Sequence, residues 1–209
     1  PSGSGLKFSL AIKISKVRLI DGKKFSLISE FEATQALPPH PNIANYEAVY
    51  QYQMANGMFD YAIMQFYDEG NLKQLLQNNV LNNKQKSDIV NGLIEGISYL
   101  HRYKIIHRDI KPSNIMIVKD PLGKFIPKIA DFGLSRFVDN DASFMTNSFG
   151  GGTLEYSSPE QLYCKPLKYN SDLWSFGVMA FELFTGVRPF GAEDDGSTEA
   201  KRLIIYQKI

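Results

Sequence analysis

HRDIKPSN at residues 107–114, a short apolar run, then DFG at residues 131–133: two acidic side chains and an amide, Asp109, Asn114 and Asp131, flank one loop. At residue frequencies of about one in twenty, the seven positions of HRD, its trailing Asn and DFG coincide by chance on the order of once per billion placements. A lone loop Asp is ordinarily a turn former; the three together imply chemistry. Downstream, Asp172 to Gly186 reads as a strongly apolar helix, with Gly186 as its stop and Pro189 just beyond. Upstream, Ile89, Leu93, Ile94, Ile97 and Leu100 recur at helical spacing and predict an amphipathic helix over about Lys84 to Arg102.

Further upstream the period changes. Ile43 to Tyr52 and Met58 to Phe66 are rich in aromatic and aliphatic residues and are separated by the turn-forming pair Asn56 and Gly57, which predicts an antiparallel hairpin. Phe25 to Leu37 has a helical look until PPHPNI breaks it, and Leu6 to Ser15 reads as a strand. Asp68, Glu69 and Gly70 interrupt the pattern between the two halves. A small sheet-rich lobe, a link near Gln65 to Gly70 and a larger helical lobe follow, an α+β organisation with no internal repeat and no low-complexity tract.

Composition narrows the partners. The 209 residues are 44% apolar and 22% charged, enough for a sizeable core. Twenty-three basic against 22 acidic side chains leave +1, so no whole-molecule field points to nucleic acid or an anionic membrane. Cys164 is the only cysteine and the three histidines are scattered, which excludes an internal disulfide framework and gives no zinc-ligand spacing. The expectation is a reducing, intracellular, cytoplasmic setting. No apolar run approaches the roughly 20 residues that span a bilayer.

At HRDIKPSN and DFG the chain resembles the eukaryotic protein kinase superfamily, and specifically a serine/threonine kinase catalytic domain. AIK at residues 11–13 stands for the strand lysine, SPE at residues 158–160 for the APE element, and DLWSFG at residues 172–177 for the start of the central buried helix. The resemblance implies the two-lobed kinase fold, a small antiparallel β lobe with one helix over residues 1–66 and a mainly helical lobe over 67–209. It also implies transfer of the γ-phosphate of ATP, with Mg2+, to a protein Ser or Thr hydroxyl.

Phosphoryl transfer needs positioning and charge neutralisation more than covalent chemistry. By resemblance, Asp109 accepts the substrate hydroxyl proton, Lys111 sits by the γ-phosphate, and Asn114 and Asp131 ligate magnesium. Lys13 holds the α- and β-phosphates and needs a helix carboxylate; Glu30 is the choice and Glu32 the runner-up. Two residues apart on a helix, those two cannot face the same way. Met64 is the gatekeeper position, the backbone of Gln65 and Tyr67 meets the adenine edge, and Ala11 and Met116 sandwich the base. Thr34 falls one turn after Glu30, where the family stacks an aliphatic side chain against Phe132.

Lys111 with Pro112, and GTLEYSSPE at residues 152–160, favour an alcohol acceptor, with Thr153 contacting Asp109 and Lys111. Asn71 and Ser113 stand where arginine-directed kinases carry acids, so no such preference is expected. Arg108 before Asp109 marks the class switched on by a phosphate on the activation segment, from an upstream kinase or by trans-autophosphorylation. Thr146 and Ser148 are the candidate acceptors, with Ser143 further away. The glycine-rich phosphate loop would precede Pro1, and the last helices would follow Ile209, so the natural protein is expected to continue at both ends. A nucleotide-binding pseudokinase or scaffold is the alternative function.

Overall fold

The computed structural model describes residues 9–20, 23–78, 81–133, 135–137, 154–163, 165–191 and 198–209. The candidate phosphosites Thr146 and Ser148, together with Ser143, Thr153 and Cys164, lie outside them.

Strands β1 (Leu10–Lys16), β4 (Tyr46–Met54) and β5 (Gly57–Gln65) form an antiparallel sheet with β5 in the centre. β2 (Arg18–Ile20) pairs with β3 (Lys23–Phe25), and α1 (Leu27–Gln35) packs against β4 and β5. The predicted hairpin forms, but Met54 pairs with Gly57, so its turn is Ala55 and Asn56. Gly57, at φ 133°, opens β5 instead, taking a backbone angle that L side chains avoid.

The second lobe is mainly helical: α2 (Leu72–Asn78), α3 (Asn83–Arg102), α4 (Pro159–Leu162), α5 (Tyr169–Thr185) and α6 (Thr198–Lys208), with short strand pairs β6 (Ile105–Ile106) with β9 (Arg136–Phe137) and β7 (Ile115–Lys119) with β8 (Phe125–Ile129). The α3 stripe is as its periodicity predicts, except that Ile94 faces outward. Ile89, Leu93, Ile97 and Leu100 are buried in one core with Ile115, Ile117 and Ile129 of β7 and β8 and Met179 and Leu183 of α5. Ile94 is the immediate neighbour of Leu93 and is turned about 100° off that line. Each such buried aliphatic chain contributes about 1.5–3 kcal/mol. An Asn82–Gln85 capping box starts α3, and Gly186 in the left-handed conformation ends α5.

The segment between α1 and β4 ties the sheet to the helices. The Asn42 side chain donates to the Pro127 carbonyl at 2.9 Å, and backbone bonds run from Ala44 N to Ile129 O and from Ile129 N to Asn42 O. This join leaves no room on α3: a Cβ at Gly96 would come within 2.9 Å of Ile129 and 3.1 Å of the Asn42 carbonyl.

Candidate active site

Of the described non-glycine residues with positive φ, two lie in HRD and DFG and the third, Lys104, in the turn after α3. Arg108 at φ 71° and Asp131 at φ 67° both adopt the left-handed region, a cost of about 1–3 kcal/mol each that the surroundings must hold. Asp172, 1% exposed at the start of α5, does this for the catalytic loop. Its carboxylate accepts from His107 N at 2.9 Å, Arg108 N at 2.8 Å and His101 Nε2 at 2.8 Å. His107 in turn donates from Nε2 to the Ala130 carbonyl at 3.1 Å, which couples HRD to DFG, and its ring stands edge-on to Phe132.

Within the loop, Asp109 lies 2.8 Å from Lys111 Nζ, and Asn114 Nδ2 donates to the Asp109 carboxylate at 2.8 Å and to its carbonyl at 2.9 Å. The Asn114 amide is therefore oriented, with its nitrogen spent on Asp109, while its oxygen, which accepts a long 3.4 Å bond from Ser113 Oγ, is the atom that can meet a cation. Asp131, whose side chain is 47% exposed, lines the same cavity of about 230 Å³ as Lys13, Asn114, Met64 and Met116. An amide oxygen and a carboxylate suit a hard divalent cation such as Mg2+, which takes few protein ligands and keeps its remaining positions for water and phosphate.

Lys13 on β1 reaches three partners: Asp131 Oδ1 at 3.4 Å, Glu30 Oε2 at 3.8 Å and the Tyr46 hydroxyl at 3.0 Å. Glu30 is buried and Glu32 exposed, so α1 turns Glu30, not Glu32, toward the lysine. Burial raises the Glu30 pKa, and Lys13 pulls it back down. Gly133 of DFG lies close to Glu30: a Cβ there would sit 2.9 Å from Glu30 Oε1 and the carboxylate would have to shift. Thr34 is buried, and its hydroxyl bonds back to the Glu30 and Phe31 carbonyls, so a polar side chain occupies that position without an unmet hydrogen bond.

The remaining candidates are spread around the cavity. Ala11 pairs with Met64 across β1 and β5, while Gln65 and Tyr67 line a neighbouring groove of about 380 Å³ with Lys128. Phe66 N, between them, bonds to the Ser9 carbonyl. Asn71 lies just before α2, exchanging hydrogen bonds with Gln74, and Ser113 lines the cavity. Sequence reasoning gave no site role to Tyr46, Asp172 or His101; Asp172 appeared only as the start of a helix and of DLWSFG, and nothing local marks an aromatic in a strand as a hydrogen-bond bridge.

The protein kinase domain family model matches residues 6–209. A protein of Clostridium acetobutylicum described as a probable serine/threonine-protein kinase is 30% identical over 196 residues, 93% of this chain and 28% of its own length. The calcium/calmodulin-dependent protein kinase type 1 of Macrobrachium nipponense is 32% identical over 196 residues, again 93% of this chain and 54% of its own. A chain in the crystal structure of the yeast RNA Pol II CTD kinase CTDK-1 complex superposes with a TM-score of 0.73 at 28% identity, over 95% of this chain and 60% of that one. The chain thus spans between about a quarter and about a half of the length of these curated relatives.

Proposed function

The chain belongs to the protein kinase family, and from that premise we propose that it transfers the γ-phosphate of ATP to serine or threonine hydroxyls of protein substrates. The observation that carries the reading is convergence: Lys13 and Asp131, 3.4 Å apart, line one cavity with Asn114, and Asn114 joins Asp109, which lies 2.8 Å from Lys111. We place the lobe boundary after Phe66, with adenine between Ala11 and Met116 and its edge against the backbone of Gln65 and Tyr67.

In this reading Asp109 accepts the hydroxyl proton as the nucleophile attacks, and the Asn114 amide keeps its carboxylate aimed. Lys111 stands by the transferred phosphoryl group and Lys13 by the α- and β-phosphates, both as point charges. Asn114 and Asp131 would hold Mg2+, which neutralises charge on the phosphate oxygens when bound. Arg108 is the proposed partner of a phosphate on Thr146 or Ser148, added by an upstream kinase or in trans.

The test is transfer of labelled γ-phosphate from MgATP to a generic serine/threonine substrate by the wild-type chain and by Asp109→Asn. Loss of about 10²-fold or more in the variant, with MgATP affinity kept, is expected for removal of a general base. Equal silence of both, once activation-segment phosphorylation has been verified, would turn the reading to a nucleotide-binding pseudokinase or scaffold.

A further inference from the structure

Three atoms at the back of the cavity depart from a simple ion pair. Lys13 Nζ stands 3.8 Å from Glu30 Oε2, beyond hydrogen-bond length, yet donates at 3.0 Å to the Tyr46 hydroxyl. That hydroxyl donates in turn, at 2.9 Å, to the same Glu30 oxygen. A phenol can do both at once, accepting through a lone pair and donating its proton.

Other features hold the phenol in this role. β4 carries an irregularity between Tyr46 and Ala48, where Tyr46 pairs with Met64 and Ala48 with the adjacent Ile63, so one extra residue kinks the strand as Tyr46 enters the site. The Lys13 ammonium lies 5.7 Å from the centroid of the Tyr46 ring. Burial and the Glu30 charge both push the Tyr46 pKa up, so its proton stays in place as the donor to Glu30. The competing partner of Lys13 is the more exposed Asp131, at 3.4 Å.

On the kinase reading above, we infer that Tyr46 is a positioning residue: its hydroxyl, spliced between Glu30 and Lys13, ties the ammonium to Glu30 and holds it at 3.4 Å from Asp131, short of a close ion pair, where it can meet nucleotide phosphates. With the hydroxyl gone, Glu30 loses its O–H donor and Lys13 loses its shortest contact, so nothing opposes its pull toward Asp131, already the nearer anion at 3.4 Å against 3.8 Å for Glu30.

Tyr46→Phe keeps the ring and removes only the hydroxyl; Tyr46→Leu removes both. Calorimetric titration with MgADP and steady-state kinetics in MgATP separate the roles. Tyr46→Phe should raise the MgADP Kd and the MgATP KM by about tenfold, the worth of a hydrogen bond to a charged group, with a smaller change in kcat. In a Lys13→Met background the same substitution should change the MgADP Kd little, because its effect runs through the lysine. Two results would overturn the inference: a Tyr46→Phe chain that binds and turns over like wild type while only Tyr46→Leu suffers, which is a packing role, or full additivity with Lys13→Met. If wild type binds MgADP but transfers no phosphate, the kinase reading fails while the binding cycle still decides the role of Tyr46; a wild type that binds neither nucleotide overturns both.

Discussion

At Glu30, stability and activity pull apart. The residue is 9% exposed, and burial is the largest influence on its carboxyl, raising the pKa above its ordinary value; Lys13 and the Tyr46 hydroxyl oppose it. A raised folded pKa means that the stabilising contribution is full below the unfolded value and is lost as pH rises through the folded one. At neutral pH the ionised carboxylate is therefore a net cost to folding, kept for its hold on Lys13. Glu30→Gln should melt higher than wild type at pH 7, with the gap closing as pH falls to about 4.5, and should lose about tenfold or more in kcat/KM. Thermal scans across pH beside kinase assays check both halves, and a Gln variant less stable than wild type at pH 7 would contradict the first.

At the scale of elements, the position of α1 decides whether Glu30 arrives at all. Ser26 caps the helix, accepting from Ser29 N at 3.2 Å, and Asp60 on β5 anchors its first residue, accepting from Leu27 N at 2.7 Å. Asp60 is fully buried and also accepts from Gln51 at 2.6 Å, so one carboxylate joins β4, β5 and the helix N-terminus, where negative charge is favoured. Asp60→Ala should cost about 2–4 kcal/mol in denaturant unfolding and raise the MgATP KM, since Glu30 lies three residues beyond Leu27. Asp60→Asn, which keeps an acceptor for Leu27, should recover part of each. At the far end of the activation segment, Ser158 and Gln161 form a capping box at α4, and Gln161 Nε2 donates to the Arg108 carbonyl at 2.7 Å. The residue that follows SPE thus touches the catalytic loop directly.

Over the whole molecule, α5 is the post to which the catalytic loop is fastened. Asp172 gathers donors from α3, through His101, and from both residues before Asp109. Asp172→Ala would leave those donors without their acceptor and free two backbone units, one of them in the left-handed region. The expected loss is about 3–5 kcal/mol by denaturant midpoint, with kcat falling at temperatures where the variant is still folded. The join across Asn42, Gly96 and Ile129 has the same character: its strength lies in the fit between elements far apart in the chain.

The amino-acid sequence by itself determined the family, the first strand, helix and hairpin and the two long helices α3 and α5, the stripe of α3 apart from Ile94, the stop of α5 at Gly186, and the residue types at the cavity. It could do so because helical and strand periods are local, and because HRD, its Asn and DFG are too specific a set to arise otherwise. It chose Glu30 over Glu32 only by resemblance; the structure does so by the face α1 turns inward. Tertiary structure alone decided that Tyr46 bridges the ion pair, that Asp60 seats α1, and that Asp172 bears the strained loop. Each of those depends on an angle or a distance set by packing between strands and helices separated by many residues, and a buried Asp or Tyr carries no local pattern that names its partner.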